Sequence, residues 1–413
     1  MHSRGDQEIG GWGPKTIREW LLTAVAGLMT LCVVILAYCM LYPVRWDGPG
    51  KLGAIALWFP LHLLMITLVS CVLAVIAVRS RARLALSLFV AVAVLTCLMS
   101  LAPAIAMWRQ AQRLNVPLSL VSYLVHAASL NLGSPKIERT RVYGVSQDGM
   151  NLELDVWSSG HAPAGPLRPA VLMIHGGAWT QGNRSMLPAW NHWLNSLGYE
   201  VFDVDYRLAP PARWQEEVGD IKAALAWVAA HAGDYHVDSS RISVMGGSAG
   251  GNLAMLTAYS LNDRHLPPTG NARQAPARCV INLYGPTDMA LGYRITMSPD
   301  YVRPRMRSYI GGTPDEVPDR YRILSPLSHI DASTPPTITI IGGSDRLVAL
   351  DHVRLLDHAL STASVPHETY VLDANDHGFD VNWGGFGTQI ARAKIREFLT
   401  TCDGGPPVSL NAN

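Results

Sequence analysis

The chain has 413 residues, a formal net charge of +1, and 49% hydrophobic against 16% charged residues. Near-neutrality gives no sign of a nucleic-acid partner, and none is expected. The low charged fraction is unusual for a wholly soluble protein, and the length allows more than one domain.

The apolar excess lies at the start. Segments 20–41, 52–78 and 84–108 contain no Asp, Glu, Lys or Arg, and each is long enough to cross a hydrocarbon core of about 30 Å as a helix. Trp20, Tyr42 and Trp108 lie near segment ends, where aromatic rings suit the bilayer interface, and Trp58 lies somewhat inside its segment. The first run is too long for a cleaved signal peptide and lacks a small-x-small cleavage site. Residues 1–110 therefore read as a membrane anchor of three transmembrane helices. Arg4, Lys15, Arg18, Arg79, Arg81 and Arg83 flank these spans on one side, and Arg45, Lys51, Arg109 and Arg113 on the other. The compact RSRAR run favours the first side as cytoplasmic, which puts everything after the third span outside the cytoplasm of a cell membrane. Four of the six cysteines fall in the spans as small apolar residues. Cys279 and Cys402 remain, and no disulfide framework is expected from them.

Residues 111–138 form a linker or interfacial helix. Ser119, Ser122, His126 and Ser129 fall on one helical stripe among Leu, Val and Tyr. A helix at the bilayer surface and an ordinary docking helix fit this pattern equally.

From 139 the texture changes. RTRVYGV and NLELDVW read as a hairpin around Gln147-Asp148-Gly149. PAVLMIH, YEVFDVDY, RISVM, ARCVINLY, TITIIG and HETYVLD follow as strands, separated by predicted helices at 186–197, 216–230, 249–261, 351–363 and 386–400. Such alternation implies an α/β domain over 139–400, with a mainly parallel central sheet flanked by helices. Residues 401–413 read as a loose tail. Between 286 and 326 several prolines accompany Arg294, Arg303, Arg305, Arg307, Arg320 and Arg322. This segment fits a cap over a pocket, and it also fits a solvated surface cluster.

Sites in such sheets form at the carboxyl ends of strands, and four strand-following loops carry unusual chemistry. HGGAW (175–179) offers backbone amides beside small residues. GGSAGGN (246–252) sets Ser248 on a turn between a strand and a helix, and its glycine spacing suits neither a P-loop nor a dinucleotide turn. GGSDRLV supplies Asp345, and DANDHGF supplies His377. Serine is a poor nucleophile until a base accepts its proton, the base needs a carboxylate to orient it, and the developing oxyanion needs fixed N–H donors. The order Ser248, Asp345, His377 is the one expected of α/β-hydrolases.

With DYRLAP (205–210) and SPLSHI (325–330), these motifs make 139–400 resemble the α/β-hydrolase esterase and lipase group that includes hormone-sensitive-lipase-like and feruloyl-esterase-like families. The resemblance implies Ser248 as nucleophile, Asp345 as acid and His377 as base, with Gly176, Gly177 and Ala249 supplying oxyanion N–H groups. It implies no metal and no organic cofactor. The chain reads HGGA where many lipases read HGGG. The H-G-G-x-W form is also similar to kynurenine formamidases and isoprenylcysteine methylesterases, so the substrate class stays open.

Asp288 also follows a strand and is the rival acid. Asp376 adjoins His377 and is expected to point elsewhere. His175 is expected to hold the oxyanion loop, and Trp179 to line the acyl pocket or simply to pack. The expected function is a membrane-anchored serine carboxylesterase or lipase, its partners an ester or lipid substrate and the bilayer. The alternatives are an acyltransferase with the same residues and a non-catalytic binding module on a hydrolase fold. Oligomeric state is not indicated.

Overall fold

A computed structural model of the chain describes residues 13–42, 45–126, 139–158 and 165–404. Helix α1 (Ile17–Leu41) begins where the Thr16 side chain accepts the Glu19 N–H at 3.2 Å, which satisfies a backbone donor left open at the helix start. It packs into two apolar clusters, one holding Ala26 with Ala77, Ala85 and Phe89, the other Val33 with Leu63, Val92 and Met99. Leu21, Leu28, Leu31, Leu68, Val72 and Leu98 remain exposed. That is an inside-out distribution for a water-soluble helix bundle and suits a lipid surroundings.

The expected second span is not one helix. It divides into α2 (Lys51–Trp58), a 3-10 turn (Pro60–His62) and α3 (Leu63–Arg79). Pro60 has no N–H and disfavours helical backbone at the preceding residue, and Phe59 accordingly leaves the helical region at φ −123°, ψ 48°. Pro60–Arg79 is still long and apolar enough to span, as are α1 and α4 (Arg83–Arg113). The last turns of α4 run beyond the expected boundary and grip the following domain. The Gln110 amide donates to Val371 O at 2.6 Å and accepts the Asp373 N–H at 2.8 Å, and Arg113 pairs with Asp373 at 2.9 Å.

In the 111–138 segment, α5 (Leu120–His126) docks through buried Tyr123, whose hydroxyl accepts the Leu61 N–H at 3.2 Å. Leu120, Val121, Leu124 and Val125 are exposed, so one short helix both docks and presents an apolar face. Ser129 lies outside the described residues.

The domain that follows is built on one eight-stranded sheet. Its strands are β1 (Arg139–Val145), β2 (Asn151–Trp157), β3 (Arg168–Ile174), β4 (Glu200–Val204), β5 (Val237–Gly247), β6 (Val280–Leu283), β7 (Thr337–Gly342) and β8 (His367–Leu372). The spatial order is β1-β2-β4-β3-β5-β6-β7-β8. The hairpin β1–β2 and the pair β2–β4 are antiparallel, and every later pairing is parallel. Burial explains the two textures of the sequence. Central β3 is buried from Ala170 to Ile174 and reads as a continuous apolar run, whereas edge strand β1 is mostly exposed.

The helices α6 (Pro188–Ser196), α7 (Glu216–Ala230), α8 (Ala249–Tyr259), α12 (Leu350–Thr362) and α13 (Phe386–Cys402) lie within two residues of their predicted bounds at every terminus. Between β6 and β7 stand three short helices, α9 (Met289–Ile295), α10 (Pro299–Ile310) and α11 (Pro318–Ile323). Arginines of this segment are held by local partners: Arg303 lies over the Tyr293 ring, Arg305 over Tyr301, and Arg320 donates to Ile310 O.

Two expectations are corrected at the carboxyl end. Thr401 and Cys402 belong to α13, not to a tail, and the Arg278 guanidinium donates to Cys402 O. Cys402 is also joined to Cys279 in a disulfide, with Cα atoms 6.6 Å apart across 123 residues of sequence. The pairing depends on α13 returning beside the start of β6, a tertiary contact that cysteine spacing does not encode.

Candidate active site

The turn after β5 is tight for a definite reason. A methyl group at Gly246 would come within 2.3 Å of Gly250 O, and one at Gly250 within 2.2 Å of Ile174 O. Only glycine allows the backbone to approach this closely. Between them Ser248 is held at φ 57°, ψ −121°, outside the usual region for a side-chain-bearing residue. Its N–H donates to Leu283 O at 2.9 Å, and its carbonyl accepts from Asn252 at 3.1 Å. The strained turn is thus tied to the neighbouring strand and to α8, and it raises the hydroxyl above the sheet.

The loops after β7 and β8 bring the other two predicted residues to it. His377 Nε2 lies 2.9 Å from Ser248 Oγ, and His377 Nδ1 lies 2.8 Å from Asp345 Oδ2. The other carboxylate oxygen of Asp345 accepts the N–H groups of Leu347 and Val348, both at 2.8 Å. Two backbone donors therefore fix the carboxylate while its free oxygen faces the imidazole. Asp345 and His377 are both buried. With Nδ1 donating to the carboxylate, the neutral ring turns an unprotonated Nε2 toward the hydroxyl, as acceptance of its proton requires.

Gly176 and Gly177, after β3, lie on the same rim: a methyl group on Gly176 would be 3.4 Å from Ser248 Cβ. Ala249 opens α8 directly after the serine. The loop is supported from below. His175 is buried, stacks on Tyr206 at 4.3 Å, and holds Gly176 O at 2.7 Å through Nδ1. Burial pushes its pKa down, so it is neutral. Trp179 stacks on Tyr309 at 5.1 Å and also lines a cavity beside Ser248.

The competing carboxylates have other work. Asp288 caps α9, accepting the Leu291 N–H at 2.9 Å. Asp376 accepts the His377 N–H at 2.7 Å and pairs with Arg346. The Arg346 guanidinium in turn donates to Cys39 O at 2.7 Å, which joins the acid loop to the end of α1.

That contact belongs to a larger group of residues that sequence reasoning missed. The connector between α1 and α3 packs directly on the site. The Trp58 indole N–H donates to His377 O at 3.0 Å, and Trp46 sets its ring edge-on to the His377 ring at 6.2 Å. On the domain's own side Tyr284 flanks the imidazole at 4.7 Å and donates to Asp380. The connector is stitched down by Trp46 N–H to Ser298 Oγ at 2.8 Å and by the pair Arg45–Asp300. Trp58 was legible as an interface aromatic, whereas Trp46 was not singled out. Nothing in their spacing linked them to residues more than 300 positions away.

The geometry can be set beside known proteins. The BD-FAE family model matches residues 154–360, half of the chain. The chain belongs to the BD-FAE family. It is 30% identical over 236 residues to Esterase LipC of Mycobacterium tuberculosis, covering 55% of this chain and 57% of that protein. It is 30% identical over 217 residues to an arylesterase of Saccharolobus solfataricus, covering 51% and 67%. The chain spans 53–57% of the length of the mycobacterial relatives it matches. Among solved structures, a thermophilic esterase of Thermogutta terrifontis superposes with a TM-score of 0.55 at 25% identity, covering 66% of this chain and 96% of that one. The form of that esterase phosphonylated by sarin gives 0.57 at 25% identity, covering 66% and 99%. The fold of this BD-FAE member is that of α/β-hydrolase esterases, preceded by three apolar helices.

Proposed function

We propose that the chain is a membrane-anchored serine carboxylesterase or lipase that cleaves esters with an apolar part through an acyl-enzyme. The observation that carries this reading is the unbroken line from Asp345 through His377 to Ser248, beside the amides of Gly176, Gly177 and Ala249. Ser248 Oγ attacks the ester carbonyl as its proton passes to His377 Nε2. The amides receive the oxyanion, and the imidazolium returns the proton to the departing alkoxide. Water then attacks the acyl-enzyme by the same path in reverse, which releases the acid and restores the serine. The esterase names of the relatives support the reaction class. Three helices able to span a bilayer, and a connector whose tryptophans reach the base, support a site close to the bilayer interface and an apolar substrate arm.

A panel of esters of increasing chain length, with and without alternative alcohol acceptors, tests this directly. The expected result is release of free acid from several esters. Transfer to the acceptor that exceeds hydrolysis would make the protein an acyltransferase, and no turnover of any ester would leave a binding module.

We further infer that the catalytic domain lies outside the cytoplasm. The disulfide Cys279–Cys402 supports this, because such bonds persist in oxidising compartments, and the distribution of Lys and Arg about the spans agrees. A reporter active only in the oxidising compartment, fused after residue 413, is expected to be active, with a cytoplasmic reporter silent at the same place. The opposite pair of results would reverse the orientation.

A further inference from the structure

The cavity beside Ser248 holds a polar group for which the proposed reaction has no use. The cavity measures about 40 Å³, room for roughly three water-sized groups. Much of its lining is carbon, from Ala178, Pro286, Val302, Met306 and Val348, with the Trp179 indole and the Tyr301 phenol also present. His352, from the first turn of α12, joins this lining although it is only 1% exposed.

The environment of His352 fixes its tautomer. Its Nδ1 accepts the N–H groups of Thr287 at 3.2 Å and Asp288 at 3.3 Å. The Thr287 hydroxyl approaches at 3.4 Å but donates to His352 O at 2.8 Å. An accepting nitrogen carries no proton, so the neutral ring keeps its hydrogen on Nε2. Burial holds the pKa down to about 4, and the ring is neutral at pH 7. Nε2 has no hydrogen-bond acceptor among the described residues. It faces Gly292, another lining residue, where an added Cβ would stand 3.2 Å away. An N–H that opens on a cavity without a protein acceptor is left for water or for an oxygen of a bound ligand to satisfy.

The reaction geometry says which part of an ester would meet it. The leaving oxygen must lie within reach of His377, which protonates it. His377 lies outside this lining, beside Trp46, which also borders the lining residue Tyr301. A pose with the alcohol arm beside His377 and Trp46 and the acyl arm in the cavity meets this requirement.

We propose that His352 is a specificity-determining residue whose Nε2–H donates to an oxygen carried on a short acyl group. The preferred substrates are then esters of short hydroxy or oxo acids, and plain alkanoic esters are poorer. A carboxylate on that arm is disfavoured, because a neutral imidazole in carbon-rich surroundings offers it no counter-charge. The proposal rests on Ser248 being the nucleophile.

The test uses full-length protein in detergent micelles and two esters of one alcohol, a butyrate and a 3-hydroxybutyrate. The expected ratio of kcat/KM favours the hydroxy ester by at least about tenfold, after division by the ratio of their alkaline hydrolysis rates. His352→Leu should bring that ratio near one, and His352→Gln, which keeps an N–H donor, should restore part of it. Gly292→Ala leaves residue 352 a histidine but sets a methyl group 3.2 Å from Nε2, and it should also collapse the ratio, which covers the case in which a His352 variant fails to fold. A wild-type ratio near one, or a ratio unmoved by both His352→Leu and Gly292→Ala, overturns the proposal. Fluorophosphonate labelling of Ser248 reports separately on the underlying reading: labelling with no preference sinks only the role of His352, and absent labelling sinks both.

Discussion

Ser248→Ala is expected to lower ester turnover by at least about 10⁴-fold while leaving the protein folded. The substitution keeps the Cβ and the strained backbone at φ 57°, and it removes only the hydroxyl that faces His377 at 2.9 Å. The amides of Gly176, Gly177 and Ala249 stay in place, so substrate binding should change little and the loss should fall on kcat. Steady-state kinetics with a chromogenic ester, beside a thermal unfolding curve, reads both quantities. Turnover within tenfold of wild type in a folded variant would remove Ser248 from the reaction.

Asp345→Asn should cost about 10⁴-fold in kcat at neutral pH. An amide in this position can still accept the Leu347 and Val348 N–H groups, so the loop should hold. Its NH₂ would then face His377 Nδ1, and a donor there forces the ring's own proton to Nε2. An Nε2 that already carries hydrogen cannot accept the serine proton. Asp288→Asn is the matched comparison. Asparagine caps a helix about as well as aspartate, and Asp288 engages Leu291 rather than His377, so a change of less than about threefold is expected. A greater loss in Asp288→Asn than in Asp345→Asn would reverse the assignment of the acid.

Legibility followed the range of the physical cause. Strands β1, β2 and β7 carry the bounds read from the sequence, because alternation and apolar runs report burial directly. The serine turn was legible because close backbone approach at Gly246 and Gly250 admits no other residue type. Asp345 and His377 could be ordered because a parallel sheet delivers successive loops to one rim. Pro60 was in plain view, but unbroken hydropathy hid the break that it makes in the second apolar segment. The rest depended on long-range packing. Cys279 meets Cys402 only once α13 has crossed the sheet, and Trp46 and Trp58 reach His377 only once the apolar helices have docked. The tautomer of His352 likewise depends on two backbone N–H groups contributed by the loop after β6.

The central claim is that Ser248 is an activated nucleophile, and a covalent probe reads it most directly. Reaction of the full-length protein with a fluorophosphonate, followed by intact-mass and peptide analysis, should give one adduct, located on Ser248. The adduct should be absent in Ser248→Ala and should form far more slowly in Asp345→Asn. Undiminished labelling of Ser248→Ala, or an adduct confined to another residue in a protein that turns over esters, would contradict the account.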